Sequence, residues 1–536
     1  MKAARVLAMA ITVAAVCLHV VSLTHAGGLW RDETGMANIA RLPSAGEILQ
    51  GLMHDHCPMV FPEALKAWTA LGLAPDDFGL RVFGFCVGLF LLASFWAAGR
   101  MMGRGLPLLA LSLVALNPVV IRYGDAMRGY GLGTAIIILT MGLIWRFIEK
   151  PGLGRGLIAV VAAVLSVQSL YQNAFFLLTI CTGGMVVCLR QRRVTTVLGL
   201  LGIGFVAALS LLPYVNPIRQ SQNWYVVNRL PVSEAGAFHN LHQLIGPLFV
   251  VWLVVVILAA IFGLGWIFTR AQPDATAPQP DLPLFAGIAL VLGAIGFGTF
   301  IKLSGLPTQV WYYIPLLCFT VVCCDLIFPR VRPAMLSCVL IVVLIALALS
   351  PAGYYTLRIR QTNGDLLAVQ VATLATADDL IIVHPWYNGL TFARYYHGPA
   401  KWTTLPPIAD YRYHRYDLIK EQLATPNAIA PVLDQVAATL RAGHRVWIAG
   451  SIPTWSPDSP VPDDPPVAPN LPTRWLDAPY SWAWGNELGC FIVQHSTNYA
   501  LVMNPSTNAI PINPLEKMAL AVSTGWRTNS AGPAQK

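Results

Sequence analysis

The sequence predicts an α-helical polytopic membrane protein that carries a soluble α/β domain at its C-terminus. Of its 536 residues, 56% are hydrophobic and only 11% are charged, and the mean hydropathy is +0.59. A soluble domain carries about 25% charged residues, so the composition excludes an ordinary soluble protein. The apolar runs lack the roughly ten-residue alternation of outer-membrane strands, which favours a helical bundle.

Apolar runs of spanning length set the expected number of helices. Several of them are long enough to cross roughly 30 Å of hydrocarbon as helices. The runs are Val6–Thr24, Leu80–Ala98, Leu106–Ile121, Gly131–Ile148, Gly156–Gln172, Ala174–Leu189, Val194–Tyr214, Leu244–Phe268, Leu282–Ile301, Val310–Phe328 and Ala334–Ala352. We therefore expect about eleven transmembrane helices.

The loop cations predict the orientation. Lys2 and Arg5, Arg100 and Arg104, and the run 190–193 fall in alternate short loops, which the positive-inside rule assigns to the cytoplasm. The N-terminus is then cytoplasmic and the C-terminal region exterior. The same bias explains part of the +9 net charge, so we expect membrane lipids and no nucleic acid as partners. The start of the chain also resembles a cleavable signal peptide, although the length of its apolar run favours a retained helix.

The chain divides into two parts. Residues 1–352 form the predicted bundle, with exterior loops at 26–79 and 215–243, and residues 353–536 form the predicted α/β domain. Alternating strand and helix patterns indicate that domain. The expected elements are a strand at Asp379–Val383, a helix at Asn388–Tyr396, a helix at Ala428–Ala442 and a strand at Arg445–Ala449.

The end of this domain carries two further patterns. Eight prolines between Pro453 and Pro472 predict an extended loop. Cys490–Val493 and Ala500–Met503 are candidates for a closing antiparallel pair. Cys57 and Cys490 are the cysteines expected outside the membrane, where a disulfide is permitted.

The first exterior loop begins with Trp30-Arg31-Asp32-Glu33. A carboxylate held at the lipid–water boundary can act as a general base on an acceptor hydroxyl. Alternatively, Asp32 and Glu33 only cap the helix that follows, because an anion is stabilising at a helix N-terminus. The residues alone do not decide between these alternatives.

The same loop contains His54-Asp55-His56. Imidazole and carboxylate suit zinc or manganese, but adjacent residues on one short loop rarely complete a metal site. The alternatives are solvated loop residues or a metal shared by Asp32, Asp55 and a histidine of the second loop, His239 or His242. A divalent metal ion is the single cofactor under consideration.

The third span ends in a segment rich in arginine and tyrosine. Arg122 and Arg128 present forked guanidinium groups that grip phosphate, and Tyr123 and Tyr130 can bond to or stack on a sugar. An interfacial belt of aromatics and cations, or an internal ion pair with Asp125, would give the same pattern.

These motifs together resemble the GT-C glycosyltransferases. The resemblance rests on Trp30-Arg31-Asp32-Glu33, on His56-Cys57-Pro58 where many relatives have His-Pro-Pro, and on Pro118-x-x-x-Arg122-Tyr123-x-x-x-x-Arg128-x-Tyr130. Within that superfamily the chain is similar to the bacterial protein O-mannosyltransferase-like branch, which is related to lipid A aminoarabinose transferases and galacturonic acid transferases of the lipopolysaccharide core. The resemblance covers about residues 1–330 and includes Gln309–Pro315, where the family arginine is absent.

The resemblance implies an enzyme of the bacterial cytoplasmic (inner) membrane with a periplasmic C-terminal domain. It would move one sugar from a polyprenyl-phosphate donor to a lipid, glycan or protein acceptor. Asp32 would be the base, and Glu33 would orient it or hold a cation. Arg122 and Arg128 would bind the donor phosphate, with Arg219 and Arg229 of the second loop as further candidates. The other candidate substrate residues are Asp55, His56, Tyr123, Tyr130, Trp224 and Tyr312.

Other functions stay open at this point. A lipid-linked glycan polymerase or ligase would move a whole glycan instead of one sugar. A transporter would keep ionisable residues at the membrane centre, whereas His19 and Asp325 lie nearer to the helix ends. A non-catalytic membrane assembly protein is the third alternative.

Overall fold

The computed structural model describes residues 2–55, 57–103, 106–224, 233–268, 281–305, 308–328, 347, 350–451, 464–468, 475–506 and 510–527. The chain forms two compact units. The bundle unit comprises Met1–His25, His56–Pro217 and Leu230–Arg358, and the sheet unit comprises Ala26–Asp55, Ile218–Arg229 and Ile359–Lys536. By contacts the chain divides after Arg358, close to the predicted boundary at residue 352. Parts of the two predicted exterior loops, Ala26–Asp55 and Ile218–Arg229, group with the C-terminal residues.

Helices make up most of the described chain. In chain order the α-helices are α1 (Lys2–His25), α2 (Arg31–Ala40), α3 (Ala45–Gly51), α4 (Val60–Ala70), α5 (Asp77–Met101), α6 (Leu108–Ala110), α7 (Pro118–Gly124), α8 (Gly129–Glu149), α9 (Leu153–Val167), α10 (Asn173–Arg190), α11 (Val194–Leu209), α12 (Val215–Trp224), α13 (Glu234–Ile245), α14 (Phe249–Gly265), α15 (Leu282–Ser304), α16 (Ile314–Ile327), α17 (Pro351–Leu357), α18 (Gly364–Leu374), α19 (Asn388–Tyr395), α20 (Tyr416–Ala424), α21 (Ala430–Arg441) and α22 (Asp477–His495).

Eight helical segments within the described ranges are long and apolar enough to cross a membrane. They are Ala4–His25, Asp77–Met101, Gly129–Glu149, Asn173–Arg190, Val194–Ser221, Glu234–Phe268, Leu282–Ser304 and Val310–Ile327. Each matches one of the eleven predicted runs. The chain is therefore a multi-pass membrane protein with a C-terminal sheet region.

The other three predicted spans differ for identifiable reasons. The run Leu106–Ile121 is interrupted, because Asn117 caps a new helix at Pro118 by accepting hydrogen bonds from the Val119 and Val120 amides. The run Gly156–Gln172 corresponds to α9, which has only 15 residues and ends at Val167. The run Ala334–Ala352 lies mostly outside the described residues.

A buried hydrogen bond between His19 and Asp125 fixes the turn between α7 and α8 in the bundle unit. The His19 Nδ1 atom of α1 lies 2.8 and 2.9 Å from the two carboxylate oxygens of Asp125. Two glycines of α5 allow this approach: a Cβ on Gly84 would overlap the Asp125 carbonyl, and one on Gly88 would overlap the Asp125 carboxylate. The turn that precedes Arg128 is thus held by close backbone packing as well as by this hydrogen bond.

The sheet unit contains five strands in the order β2-β1-β3-β5-β4. They are β1 (Leu380–His384), β2 (Lys401–Thr404), β3 (Val446–Gly450), β4 (Ser496–Met503) and β5 (Ala519–Trp526). Strands β2, β1 and β3 are parallel, whereas β5 is antiparallel to β3 and β4 is antiparallel to β5. This mixed sheet with helices agrees with the expected α/β class.

Helices cover both faces of the two central parallel strands. Leu380 and Ile382 face a core built with α21 and α22, whereas Ile381 and Val383 face a core built with α18. Because successive strand residues point to opposite faces, a strand covered on both sides reads as an unbroken apolar run. This explains why the sequence revealed β1 and β3.

The predicted closing pair was half wrong. Cys490–Val493 lies in α22, whose residues Tyr480, Trp484, Leu488 and Ile492 are buried at helical spacing. The second predicted segment lies in β4, and its partner is β5. The proline-rich loop falls mostly outside the described residues, and Cys57 and Cys490 are both free thiols.

We expect Gly88→Ala to lower the melting temperature of the detergent-solubilised protein. The added methyl would overlap the Asp125 carboxylate and press on the His19 ring, and overpacking of this kind costs about 1–3 kcal/mol. The control is Gly298→Ala on α15, where an added Cβ meets nothing within 4 Å and alanine is the better helix former. Equal melting temperatures for the two variants would contradict the close packing.

Candidate active site

The loop after α1 is anchored within the sheet unit. The Leu29 amide donates to the Tyr395 hydroxyl at 2.6 Å, and the Gln361 amide donates to the Ala26 carbonyl at 2.8 Å. Gly27 has a φ of +65°, in the left-handed region that favours glycine. These contacts fix the backbone that leads into α2.

The two acidic residues at the start of α2 have different surroundings. Glu33 is fully buried, and its Oε2 accepts the Trp30 amide at 3.4 Å, while the Thr34 amide donates to the Trp30 carbonyl at 2.8 Å. Glu33 therefore caps the helix, which satisfies a backbone donor that the helix itself cannot pair. The capping alternative holds for Glu33.

Asp32 keeps part of its carboxylate exposed. Its side chain is 20% accessible, and its Oδ1 lies 3.6 Å from His414 Nε2 and 3.7 Å from Arg31 Nε. A carboxylate in this position has access to solvent and lies beside a cation and an imidazole.

Arg31 is held on three sides. Its Nη1 donates to the Leu515 carbonyl at 3.0 Å and to Glu516 Oε1 at 3.1 Å, and its guanidinium carbon lies 4.3 Å from the centre of the Tyr387 ring. Burial opposes the charged form, but the carboxylates of Glu516 and Asp32 raise the pKa of Arg31 above its ordinary value. Arg31 therefore stays cationic beside Asp32.

Glu516 is a buried carboxyl with a perturbed pKa. Burial raises the pKa of Glu516 to about 7, against the lowering effect of Arg31. The Thr391 hydroxyl donates to its Oε2 at 3.2 Å. The site thus contains a carboxyl that titrates close to neutral pH.

Aromatic rings surround His414. Its ring stacks on Tyr416 with centroids 6.0 Å apart, and it meets the edge of Trp386 at 6.5 Å. The Trp386 indole donates to Asp477 at 3.4 Å, and burial raises the pKa of the Asp477 carboxyl. The imidazole is therefore presented to Asp32 in one orientation.

The remaining candidates in the sheet unit lie elsewhere in it. Asp55 is buried, and the neighbouring His54 stacks on Tyr413 with centroids 5.5 Å apart; burial lowers the pKa of His54. Arg219 is exposed on α12, which ends at Trp224. His56 and Arg229 lie outside the described residues, as does the side chain of Trp224.

The metal hypothesis gains no support. Across the described ranges, no group of three or more His, Cys, Asp or Glu side chains is arranged to hold an ion.

The arginine–tyrosine candidates lie in the bundle unit. Arg122 is buried, with its guanidinium carbon 5.0 Å from the Tyr123 ring centre. Arg128 is half-buried at the N-terminus of α8, and Tyr130 packs against Tyr312 with centroids 5.7 Å apart. The partner that the structure gives to Asp125 is His19, which weakens the alternative of an Arg–Asp125 ion pair.

An apolar cavity of about 230 Å³ lies in the bundle unit. Its walls are mostly hydrophobic and include Leu113, Leu116, Pro118, Pro247, Trp252 and Leu317. A cavity of this chemistry suits a hydrocarbon chain.

Several solved structures are similar to this chain over most of its length. The chain is similar to ArnT from Cupriavidus metallidurans in the apo state, with a TM-score of 0.51, 14% identity, and coverage of 82% of this chain and 92% of ArnT. The chain has the GT-C fold. It also resembles ArnT bound to undecaprenyl phosphate, with a TM-score of 0.46, 15% identity, and 82% and 92% coverage. The archaeal oligosaccharyltransferase AglB from Archaeoglobus fulgidus has a TM-score of 0.47, 11% identity, and 82% and 69% coverage.

Comparison of the sequence itself with known families and proteins gives no match. No protein-family model matches this sequence, and no curated protein gives a match.

Sequence reasoning missed three residues around Asp32. His414, Tyr387 and Glu516 lie hundreds of positions from Asp32 in the chain and carry no local motif.

The raised pKa of Glu516 predicts a pH-dependent stability. Because this pKa of about 7 exceeds the ordinary value of 4.5, the folded protein keeps a proton that the unfolded chain releases between those values. Stability should therefore fall as the pH rises through this window and level off above it. We expect melting temperatures measured from pH 5 to pH 8 to fall less steeply for Glu516→Gln than for the wild type.

The control for this measurement is Glu421→Gln, an exposed position on α20 of the same unit. Its pH dependence should match that of the wild type. Identical slopes for the wild type and Glu516→Gln would show that Glu516 does not titrate in this window.

Proposed function

We propose that this protein is a glycosyltransferase that moves a single sugar from a polyprenyl-phosphate donor to a hydroxyl of a lipid, glycan or protein acceptor. The observation that carries the proposal is Asp32, a partly exposed carboxylate fixed by Arg31 and His414 at the start of the loop after the first span. The GT-C fold supports the same conclusion. The proposed location is the bacterial cytoplasmic membrane, with the N-terminus in the cytoplasm and the reaction on the exterior face.

Asp32 would act as the general base. The acceptor hydroxyl gives its proton to the Asp32 carboxylate while its oxygen forms a bond to the anomeric carbon of the donor sugar. The bond between that carbon and the phosphate oxygen breaks, and polyprenyl phosphate leaves with the bonding electron pair. Glu33 is fully buried and accepts the Trp30 amide, so we assign the base role to Asp32 alone.

The donor requires a hydrocarbon site and a phosphate site. The apolar cavity of the bundle unit has the chemistry for part of an isoprenoid chain. ArnT, which shares the GT-C fold, has been solved with undecaprenyl phosphate bound. Arg122 and Arg128 are our candidates for the phosphate, because cations stabilise the negative charge that develops on a leaving group.

We expect Asp32→Asn to lower turnover by about 10²–10⁴-fold, the usual contribution of a general base, with donor binding nearly unchanged. The assay follows radiolabelled sugar from polyprenyl-phosphate sugars into lipid or protein acceptors.

The matched control for this variant is Asp76→Asn. Asp76 caps α5 by accepting the Gly79 amide at 2.9 Å, and asparagine caps equally well. Near-normal turnover in a well-folded Asp32→Asn protein would refute the assignment of the base.

Substitution of Arg128 tests the phosphate assignment. We expect Arg128→Ala to lower turnover by about 10²–10³-fold with every acceptor, because the donor is common to all of them. Arg128→Lys should keep part of the activity, since lysine retains the charge but loses the forked geometry. Arg146→Ala, an exposed position at the other end of α8, is the control. A loss confined to one acceptor would move Arg128 to the acceptor site.

A further inference from the structure

We propose that His414 is a positioning residue that orients the Asp32 carboxylate for proton transfer. The inference rests on the proposed function and assigns a role in the reaction to the C-terminal part of the chain. The acceptor proton still goes to Asp32, and His414 neither accepts nor supplies it.

The first observation is the geometry at Asp32. His414 Nε2 lies 3.6 Å from Oδ1, the same oxygen that faces Arg31 Nε at 3.7 Å. An imidazole nitrogen and a guanidinium nitrogen thus face one oxygen at ion-pair distance, so the two oxygens of the carboxylate have different surroundings. The His414 side chain is 12% accessible, so it meets Asp32 largely out of water, where such interactions are stronger.

The second observation is that Arg31 and His414, the two neighbours of Asp32, are held in place by different parts of the chain. Arg31 already donates through Nη1 to the Leu515 carbonyl and to Glu516, and its ring contact with Tyr387 holds the guanidinium in place. His414 approaches Asp32 from a different segment of the chain. The direction of the carboxylate is therefore set by a second, independently supported group.

The third observation is the rigidity of the segment around His414. Arg415 donates to Asp410 and to Asp417, in each case at 2.6 Å, and Arg412 donates to Asp410 at 3.0 Å. These pairs lie on both sides of His414 in the sequence and hold the backbone of the segment in place.

The same segment is tied directly to α2. The Asn38 side chain donates to the Arg412 carbonyl at 3.0 Å, and Asn38 lies on the helix that begins next to Asp32. His414 and Asp32 therefore belong to one hydrogen-bonded assembly within the sheet unit. A catalytic group needs this kind of support, because a small misplacement of a reacting group lowers the rate strongly.

Two variants of His414 separate positioning from packing. His414→Phe keeps a ring to stack on Tyr416 but removes the nitrogen, whereas His414→Gln restores an N–H donor. We expect His414→Phe to lower kcat by about 10- to 100-fold, with the KM for donor and for acceptor within about twofold of wild type. His414→Gln should recover part of that kcat, and both melting temperatures should stay close to the wild-type value.

The matched control is His495→Phe. His495 is another stacked histidine of the sheet unit, with its ring 4.9 Å from that of Trp526, and its substitution should leave kcat unchanged. The assay uses a donor and acceptor pair that the wild-type protein turns over.

Two results would overturn the inference. A wild-type kcat in His414→Phe would show that the nitrogen is not needed. An equal loss in His414→Phe and His414→Gln, together with lowered melting temperatures, would show that the ring only packs. If Asp32→Asn abolishes transfer and His414→Phe does not affect it, this inference fails alone. If Asp32→Asn is fully active, the base assignment fails and this inference fails with it, and if the wild-type protein transfers no sugar, the proposed function fails.

Discussion

The buried ion pair between Arg31 and Glu516 joins the first residue of α2 to the turn that precedes β5, and the geometry of the site depends on it. Burying two charges costs free energy that their attraction does not always recover, so such a pair is weak evidence for stability. It gives orientation instead. Arg31 directly precedes Asp32, and the hydrogen bonds that fix its guanidinium also fix the backbone from which the Asp32 side chain projects.

The adjacent carboxylates show how local surroundings divide the roles of two similar residues. Glu33 points into the protein and satisfies the Trp30 amide, while Asp32 points to a partly exposed position between an arginine and a histidine. The general-base and capping interpretations were alternatives for the pair as a whole. In the structure the side chain of Glu33 caps α2, and Asp32 is the carboxylate that we propose as the base.

The sequence predicted those features that depend on local pattern. Long apolar runs identified eight spans, and unbroken apolar runs identified β1 and β3, because burial on all sides leaves a continuous signal. The strand predicted at Cys490–Val493 was wrong, because an apolar run of four residues does not distinguish a strand from a buried turn of helix. Asp32 was predictable because its motif is local. His414 and Glu516 were not, because their proximity to α2 arises from tertiary packing that no spacing in the chain records.

The distances at Asp32 differ from those at the structural ion pairs, and the difference bears on its chemistry. Arg415 donates to its two carboxylates at 2.6 Å, as expected for strong charge-assisted hydrogen bonds, and such bonds hold a carboxylate in its ionised form. The contacts of Asp32 with His414 and Arg31 are about one ångström longer. At that separation neither neighbour makes a close hydrogen bond to the carboxylate. The proposed role of His414 therefore depends on where the hydrogen bonds of Arg412, Arg415 and Asn38 place its ring beside Asp32.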